Sequence, residues 1–362
     1  MASPLAVDTW EVPLLQPTRD VALERDLKRI GRGSPSPAAY FMSCPWLARS
    51  CVRLNWDHGL LLEVDFMLSD LMILVVSQEN ACRFCYAATR MQMRMMGMDE
   101  ERVQELERQL SADGLDPKTV AAVRFARRLS RSNPPPDRGE LAALRAAGFS
   151  EAQVRELIFV IAGSCYFNRL MTVPALPAES MERMPDRWFA PLIRPLMARM
   201  MRGWRWRGEP LSVGAMADLP CASTLAMLHS TPMADALAVT LQEMWAPTVL
   251  SRRSKALVMA VVAHGLGCAA VAADMQAILD QEGLGRDEVE NVVTHLRGPG
   301  LDPVESALVT FARDTIWYEA RSIQRRARAT SEVVQGPALV EAIGLSAFAN
   351  FMCRLHLALA EA

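Results

Sequence analysis

Part of this sequence occurs twice at a constant spacing. Gly114-Leu115-Asp116-Pro117 returns as Gly300-Leu301-Asp302-Pro303, and Phe125-Ala126-Arg127 returns as Phe311-Ala312-Arg313. Both pairs lie 186 residues apart, and the fourteen-residue windows holding them share nine identities. Cys82 maps onto Cys268, and the apolar run Leu71 to Val76 onto Leu257 to Val262, at the same distance. Phe167-Asn168-Arg169-Leu170 answers Met352-Cys353-Arg354-Leu355 after a slip of one residue. One offset held through several separated matches predicts a tandem duplication. It divides the chain into an N-terminal arm (1–37), a first unit (38–173), a linker (174–220) and a worn second unit (221–362).

Each unit reads as helices. Leu68 to Val76 opens an apolar helix, and a second helix carries Cys82 and Cys85 through Met96. Glu100 to Gln109 is charged and amphipathic, with Glu and Arg four apart. Asp116-Pro117 is a capped helix start, followed by Val120 to Leu129. The stretch Ser132 to Pro136 breaks that helix. Another begins at Asp137 or Arg138 and ends at Gly148. Ser150-Glu151-Ala152-Gln153 then starts a last helix running through Leu157 to Leu170. Period-2 alternation bounded by hairpin turns is missing from the sequence. Aromatics are only 6% while methionines number 22, so core filling suits helix packing. The expected fold class is all-α, with two helical units related by pseudo-two-fold symmetry.

A net charge of -2 gives no case for a nucleic-acid or anionic-membrane partner. Met1 to Trp10 lacks the basic-then-apolar pattern of a signal peptide. Ala256 to Leu279 approaches membrane-spanning length, but His264 and Asp274 interrupt it, and a core helix is expected. Six of the eight cysteines (Cys44, Cys51, Cys165, Cys221, Cys268 and Cys353) are scattered through apolar stretches. Buried thiols in a reducing, cytoplasmic setting are expected from that pattern. The linker run Met197 to Arg207 is basic and aromatic, and reads as a helix packing its Met and Trp on the two units. The cluster Met91, Met93, Met95, Met96 and Met98 reads as core and pocket lining.

The remaining pair, Cys82-Arg83-Phe84-Cys85, places two thiols three residues apart on one helical face. Near a helix start, unpaired amides and the dipole favour a thiolate. The spacing also allows a reversible disulfide. A zinc site would need a second pair or a nearby His, so neither metal nor cofactor is expected. His58, His229, His295 and His356 show no pairing in the sequence. His264, four before Cys268, reads as a core histidine or as a residue facing the first site.

The stretch Ser69 to Thr89, the Arg145 to Val154 segment and Asn168-Arg169-Leu170 resemble the AhpD-like alkylhydroperoxidase and carboxymuconolactone decarboxylase superfamily. The resemblance covers most of the first unit and, more weakly, the second. It implies an all-helical fold that commonly assembles into homo-oligomers. It also implies thiol redox chemistry on a hydroperoxide or hydrophobic substrate, with a dithiol protein as reductant. Cys85 would be the peroxidatic thiolate and Cys82 the resolving thiol. Asp70 stands at the family's glutamate position and would take part in proton transfer. Thr89 occupies the family's histidine position, so the usual relay is absent or rebuilt. Glu79, Arg90 and Tyr86 are the candidates for rebuilding it. For Asp70 the alternative is a helix N-cap before Leu71, and for Glu79 a solvated carboxylate at a helix start. In the second unit Val271, Met275 and Ala256 replace the second cysteine, the histidine and the acid. A structural mate with a single thiol is expected there. The competing functions are a decarboxylase-like lyase on a small lactone acid and a non-catalytic helical scaffold or redox sensor.

Overall fold

The computed structural model describes residues 10–31, 37–55, 59–109, 115–178 and 213–362, with positions 188, 192 and 195 between the last two stretches. The Met197 to Arg207 run and His58 lie outside them. Among the described residues every regular element is a helix. The all-α expectation holds.

Helices α1 (Val21–Ile30) and α2 (Pro45–Arg53) precede a set of six: α3 (Phe66–Glu79), α4 (Arg83–Met95), α5 (Glu100–Gln109), α6 (Pro117–Arg131), α7 (Arg138–Ala146) and α8 (Glu151–Thr172). After α9 (Val213–Ala217), α10 (Ala222–Met227) and α11 (Pro232–Trp245) comes a second set. These are α12 (Arg252–Leu266), α13 (Ala269–Gln281), α14 (Arg286–His295), α15 (Pro303–Asp314), α16 (Ala320–Ser331) and α17 (Gly336–Glu361). The starts of α12 to α15 each fall 186 residues after those of α3 to α6.

Caps set these boundaries. Asp116 accepts from the amides of Lys118 and Thr119 with Pro117 following it, and Asp302 caps α15 with Pro303 following. Asp137 with Glu140 and Ser150 with Gln153 form reciprocal capping boxes for α7 and α8. The cap of α3 is Asp65, whose side chain accepts from Leu68 N. Asp70 is therefore not the cap the sequence offered; it lies inside α3, fully buried.

Among the described residues the two longest helices, α8 and α17, pack extensively against each other. Tyr166 packs edge-on to Phe348 with centroids 5.9 Å apart and stacks on Phe351 at 6.0 Å. Helix α17 is long and apolar enough to cross a membrane, yet 94% of its most apolar window is buried inside the protein, as in a core helix. Ala256 to Leu279 is two helices, because Gly267 (φ 70°) ends α12 in the left-handed region that glycine enters without strain.

Two buried glutamates tie loops to these long helices. Glu156 accepts from the amides of Leu62, Glu63 and Val64 at 2.7–3.1 Å. Glu341 accepts from Leu250 N (2.8 Å) and Trp46 Nε1 (3.1 Å), with Lys255 Nζ 3.5 Å away. Two buried arginines cross between the sets. Arg169 of α8 donates to the carbonyls of Thr315 and Ile316, both at 2.8 Å, at the end of α15. Arg354 of α17 donates to Ser130 O at the end of α6 (3.2 Å) and to Ile316 O (3.1 Å). Each arginine thereby satisfies helix-end carbonyls that burial would otherwise leave unpaired.

Residues 10–31 of the N-terminal arm are held against this body. Leu14 N donates to Pro174 O (2.8 Å), Glu11 N to Gln324 Oε1 (2.9 Å), and Leu23 and Leu27 are buried. Met93 and Met95 are core residues, as expected, and Met91, Met96 and Met98 are half-buried. His264 is exposed, contrary to its reading as a core residue. The break at Gly267 takes it off any face shared with Cys268.

Candidate active site

The dithiol sits where the chain turns sharply out of α3. Asn80 ends that helix, and Ala81 adopts φ 48°, a left-handed conformation seldom taken by a residue with a Cβ. Cys82 N donates to Ser77 O (2.9 Å), and Cys82 becomes the N-cap of α4 with extended dihedrals. Its sulfur faces the open amides of the first turn and accepts from Cys85 N at 3.4 Å. Cys85 follows one turn later. Both are buried, Cys82 at 0% exposure and Cys85 at 8%.

Helix α8 covers the pair. Asn80 Nδ2 donates to Asn168 Oδ1 (3.0 Å), and Asn168 Nδ2 donates to Ser77 Oγ (3.3 Å). Thr172, one turn further along α8, brings its hydroxyl to Cys82. Tyr318, from the turn between α15 and α16, comes to the same place from the second helix set. The Arg169 guanidinium lies 5.3 Å from its ring centroid. The Thr172 and Tyr318 hydroxyls are both buried.

These neighbours decide where the charge goes. Burial opposes ionisation of Cys82, but the Cys85 thiol, the Thr172 hydroxyl and the amides of Cys85 and Phe84 outweigh it. They hold its pKa below the ordinary thiol value. Burial pushes Cys85 well above that value, and donation to Cys82 and the charge on Cys82 add to the rise, while Asn168 works against it. Ionisation is thus eased at Cys82 and opposed at Cys85. Burial and the Cys82 charge also raise the pKa of Tyr318, so its hydroxyl keeps its proton. Replacing Cys85 by alanine removes the strongest donor to the thiolate. The pH of half-maximal alkylation of Cys82 by iodoacetamide is then expected to move up; an unchanged or lower midpoint would contradict this account.

The other residues singled out by the sequence are engaged elsewhere. Glu79 is the last residue of α3 and not the start of α4, and Arg131 Nε binds it at 2.7 Å with Arg127 Nε at 3.4 Å. Thr89 is buried and donates to Cys85 O at 2.9 Å, the backbone four residues earlier. Arg90 pairs with Glu107 and Glu100 on α5, and Tyr86 OH donates to Glu107. Burial and Glu107 raise Tyr86 to about 12. Asp70 lies on α3, the helix before the dithiol, in the buried core. For Thr89→Val the expected result is an unchanged rate of dithiol oxidation and a change in unfolding free energy within about 1 kcal/mol. A large fall in rate would show that the hydroxyl does more than bind Cys85 O.

Residues 63–128 match the carboxymuconolactone decarboxylase family. A domain of that family is present in this chain. The family domain spans α3 to α6 and holds Asp70, Glu79, both cysteines and Thr89; Asn168, Thr172 and Tyr318 approach the dithiol from outside it. Neither the curated proteins nor the solved structures yielded a match to this chain.

Among the described residues no group of three or more His, Cys, Asp or Glu side chains is arranged to hold a metal ion. Sequence reasoning missed Thr172 and Tyr318. In the sequence Asn168 and Arg169 stand out only as part of the internal repeat and of a family-like ending.

Proposed function

We propose that the chain is a thiol-dependent peroxidase or disulfide oxidoreductase working through Cys82 and Cys85. The observation that carries this reading is the geometry of the pair: Cys82 is the N-cap of α4, its sulfur accepts from Cys85 N at 3.4 Å, and the Cys85 thiol follows one turn later. The Cys82 thiolate attacks the distal oxygen of a hydroperoxide, the O–O bond breaks, and the leaving alkoxide takes a proton from solvent and departs as the alcohol. The resulting Cys82 sulfenic acid is attacked by Cys85, which forms the disulfide and releases water. A dithiol protein restores the pair by exchange. The family resemblance had given the peroxidatic role to Cys85; the donors around Cys82 favour the reverse order.

The substrate side of this reading is a small hydroperoxide, with no nucleic acid or membrane partner, in the cytoplasm. The two helix sets descend from one duplicated unit, a reading supported by the equal spacing of their helix starts and by the crossing of Arg169 and Arg354. Such a chain would assemble with further copies as single units of the family do. The test is to add one equivalent of cumene hydroperoxide to the reduced chain and count free thiols. A loss of two thiols, reversed by dithiothreitol, is expected. No loss, together with lactone turnover that survives both Cys82→Ser and Cys85→Ser, would replace this reading with the lyase. Absence of both activities would leave a scaffold.

A further inference from the structure

The second helix set lacks a C-x-x-C, because Val271 stands three residues after Cys268. It nevertheless contains a second thiol in contact with Cys268, supplied by another helix. In the first set the residue facing the dithiol from the long helix is Asn168, immediately before Arg169. In the second set the residue immediately before the matching Arg354 is Cys353. Cys268 is the N-cap of α13, as Cys82 is of α4, and Cys353 projects from α17 into hydrogen-bond contact with it. Both are buried, at 1% and 0% exposure. The missing second thiol has thus been replaced from the facing helix.

We propose that Cys268 and Cys353 form a second redox-active thiol pair, which a hydroperoxide oxidises to a disulfide joining the start of α13 to α17. The division of roles repeats that of the first pair. The hydrogen bond from Cys353 favours the Cys268 thiolate against the cost of burial, and the amides of Val271 and Ala270 add to it. Burial and that same donation keep Cys353 protonated, with Arg354 acting the other way. Cys268 attacks the peroxide oxygen and becomes a sulfenic acid as the alcohol leaves. Cys353 then displaces its oxygen as water, so two thiols supply the two electrons. Cys221 lies nearby, its amide donating to Asp274 Oδ2 (2.7 Å), and burial and Asp274 raise its pKa so that it stays a thiol.

This inference uses the oxidant class of the proposed function but different sulfurs. Wild-type chain treated with excess cumene hydroperoxide is alkylated after unfolding and mapped by mass spectrometry. A cross-linked peptide pair containing Cys268 and Cys353 is expected, and it should persist in Cys82→Ser/Cys85→Ser and vanish in Cys268→Ser. Cys268 and Cys353 fully alkylated in wild type while Cys82 and Cys85 are linked would overturn this inference alone. A Cys268–Cys353 link without one between Cys82 and Cys85 would overturn the proposed function alone. Linkage of Cys268 to Cys221 would also refute the pairing.

Discussion

Cys82→Ser is expected to slow reaction with hydroperoxide at the first pair by at least about a thousandfold, the usual scale for loss of a catalytic nucleophile. The surviving Cys85 cannot take over, because burial holds its pKa well above the ordinary thiol value. A serine at position 82 adds no charge to offset that. Cys85→Ser should behave differently. Its Cys82 still ionises with help from Thr172 and the amides of the first turn, although at a higher pH than in wild type. The variant would make one sulfenic acid at Cys82, trapped by dimedone and found by mass spectrometry, and then stop for want of a resolving thiol. Dimedone labelling at Cys85 of Cys82→Ser, with no label at Cys82 of Cys85→Ser, would restore the opposite order of roles.

Arg169→Ala should lower the unfolding free energy by about 3–5 kcal/mol. Each buried acceptor left unpaired costs about 1–3 kcal/mol, and the lost side chain leaves a cavity besides. Arg169 is 1% exposed, and its loss takes the donor from Thr315 O, while Ile316 O keeps Arg354 and Cys165 O lies within helix α8. The loss is a large share of the roughly 5–15 kcal/mol that holds a typical domain folded. Urea denaturation would measure it as a fall in midpoint. The surface ion pair Arg138–Glu361, with Arg138 85% exposed, is a suitable control: Arg138→Ala should cost less than about 1 kcal/mol. Arg169 also supports the ring of Tyr318 beside Cys82, so Arg169→Ala should disturb thiol reactivity under conditions where the chain remains folded. Equal losses at Arg169 and Arg138 would contradict the role given to the helix-end carbonyls.

Much of the architecture was legible because its boundaries are written in local chemistry. Asp116-Pro117, Asp137 with Glu140, and Ser150 with Gln153 place helix starts to the residue, since each supplies oxygen to amides that have no partner within the helix. The turn before Cys82 was less legible. It is made by an alanine in a left-handed conformation, with no Gly or Pro to announce it. Reading Glu79 as the start of the cysteine helix followed from that. The matching turn in the second set does carry a glycine, Gly267, and overlooking its effect put His264 in the core.

The dithiol was legible for the same local reason, as two cysteines one turn apart. Its surroundings were not. Thr172 is 90 residues and Tyr318 236 residues after Cys82 in the sequence, and both reach it only because α8 and the α15–α16 turn pack there. No periodicity within one helix encodes such a meeting. Cys353 escaped notice in the same way: its significance comes from the helix it faces, not from its neighbours in sequence.

The most direct test of the central claim is a disulfide map of the reduced chain after one equivalent of hydroperoxide. All eight cysteines start as free thiols. The account predicts that a peptide linked through Cys82 and Cys85 is the principal product, and that dithiothreitol returns both to thiols. Eight fully alkylatable cysteines after that treatment would contradict it.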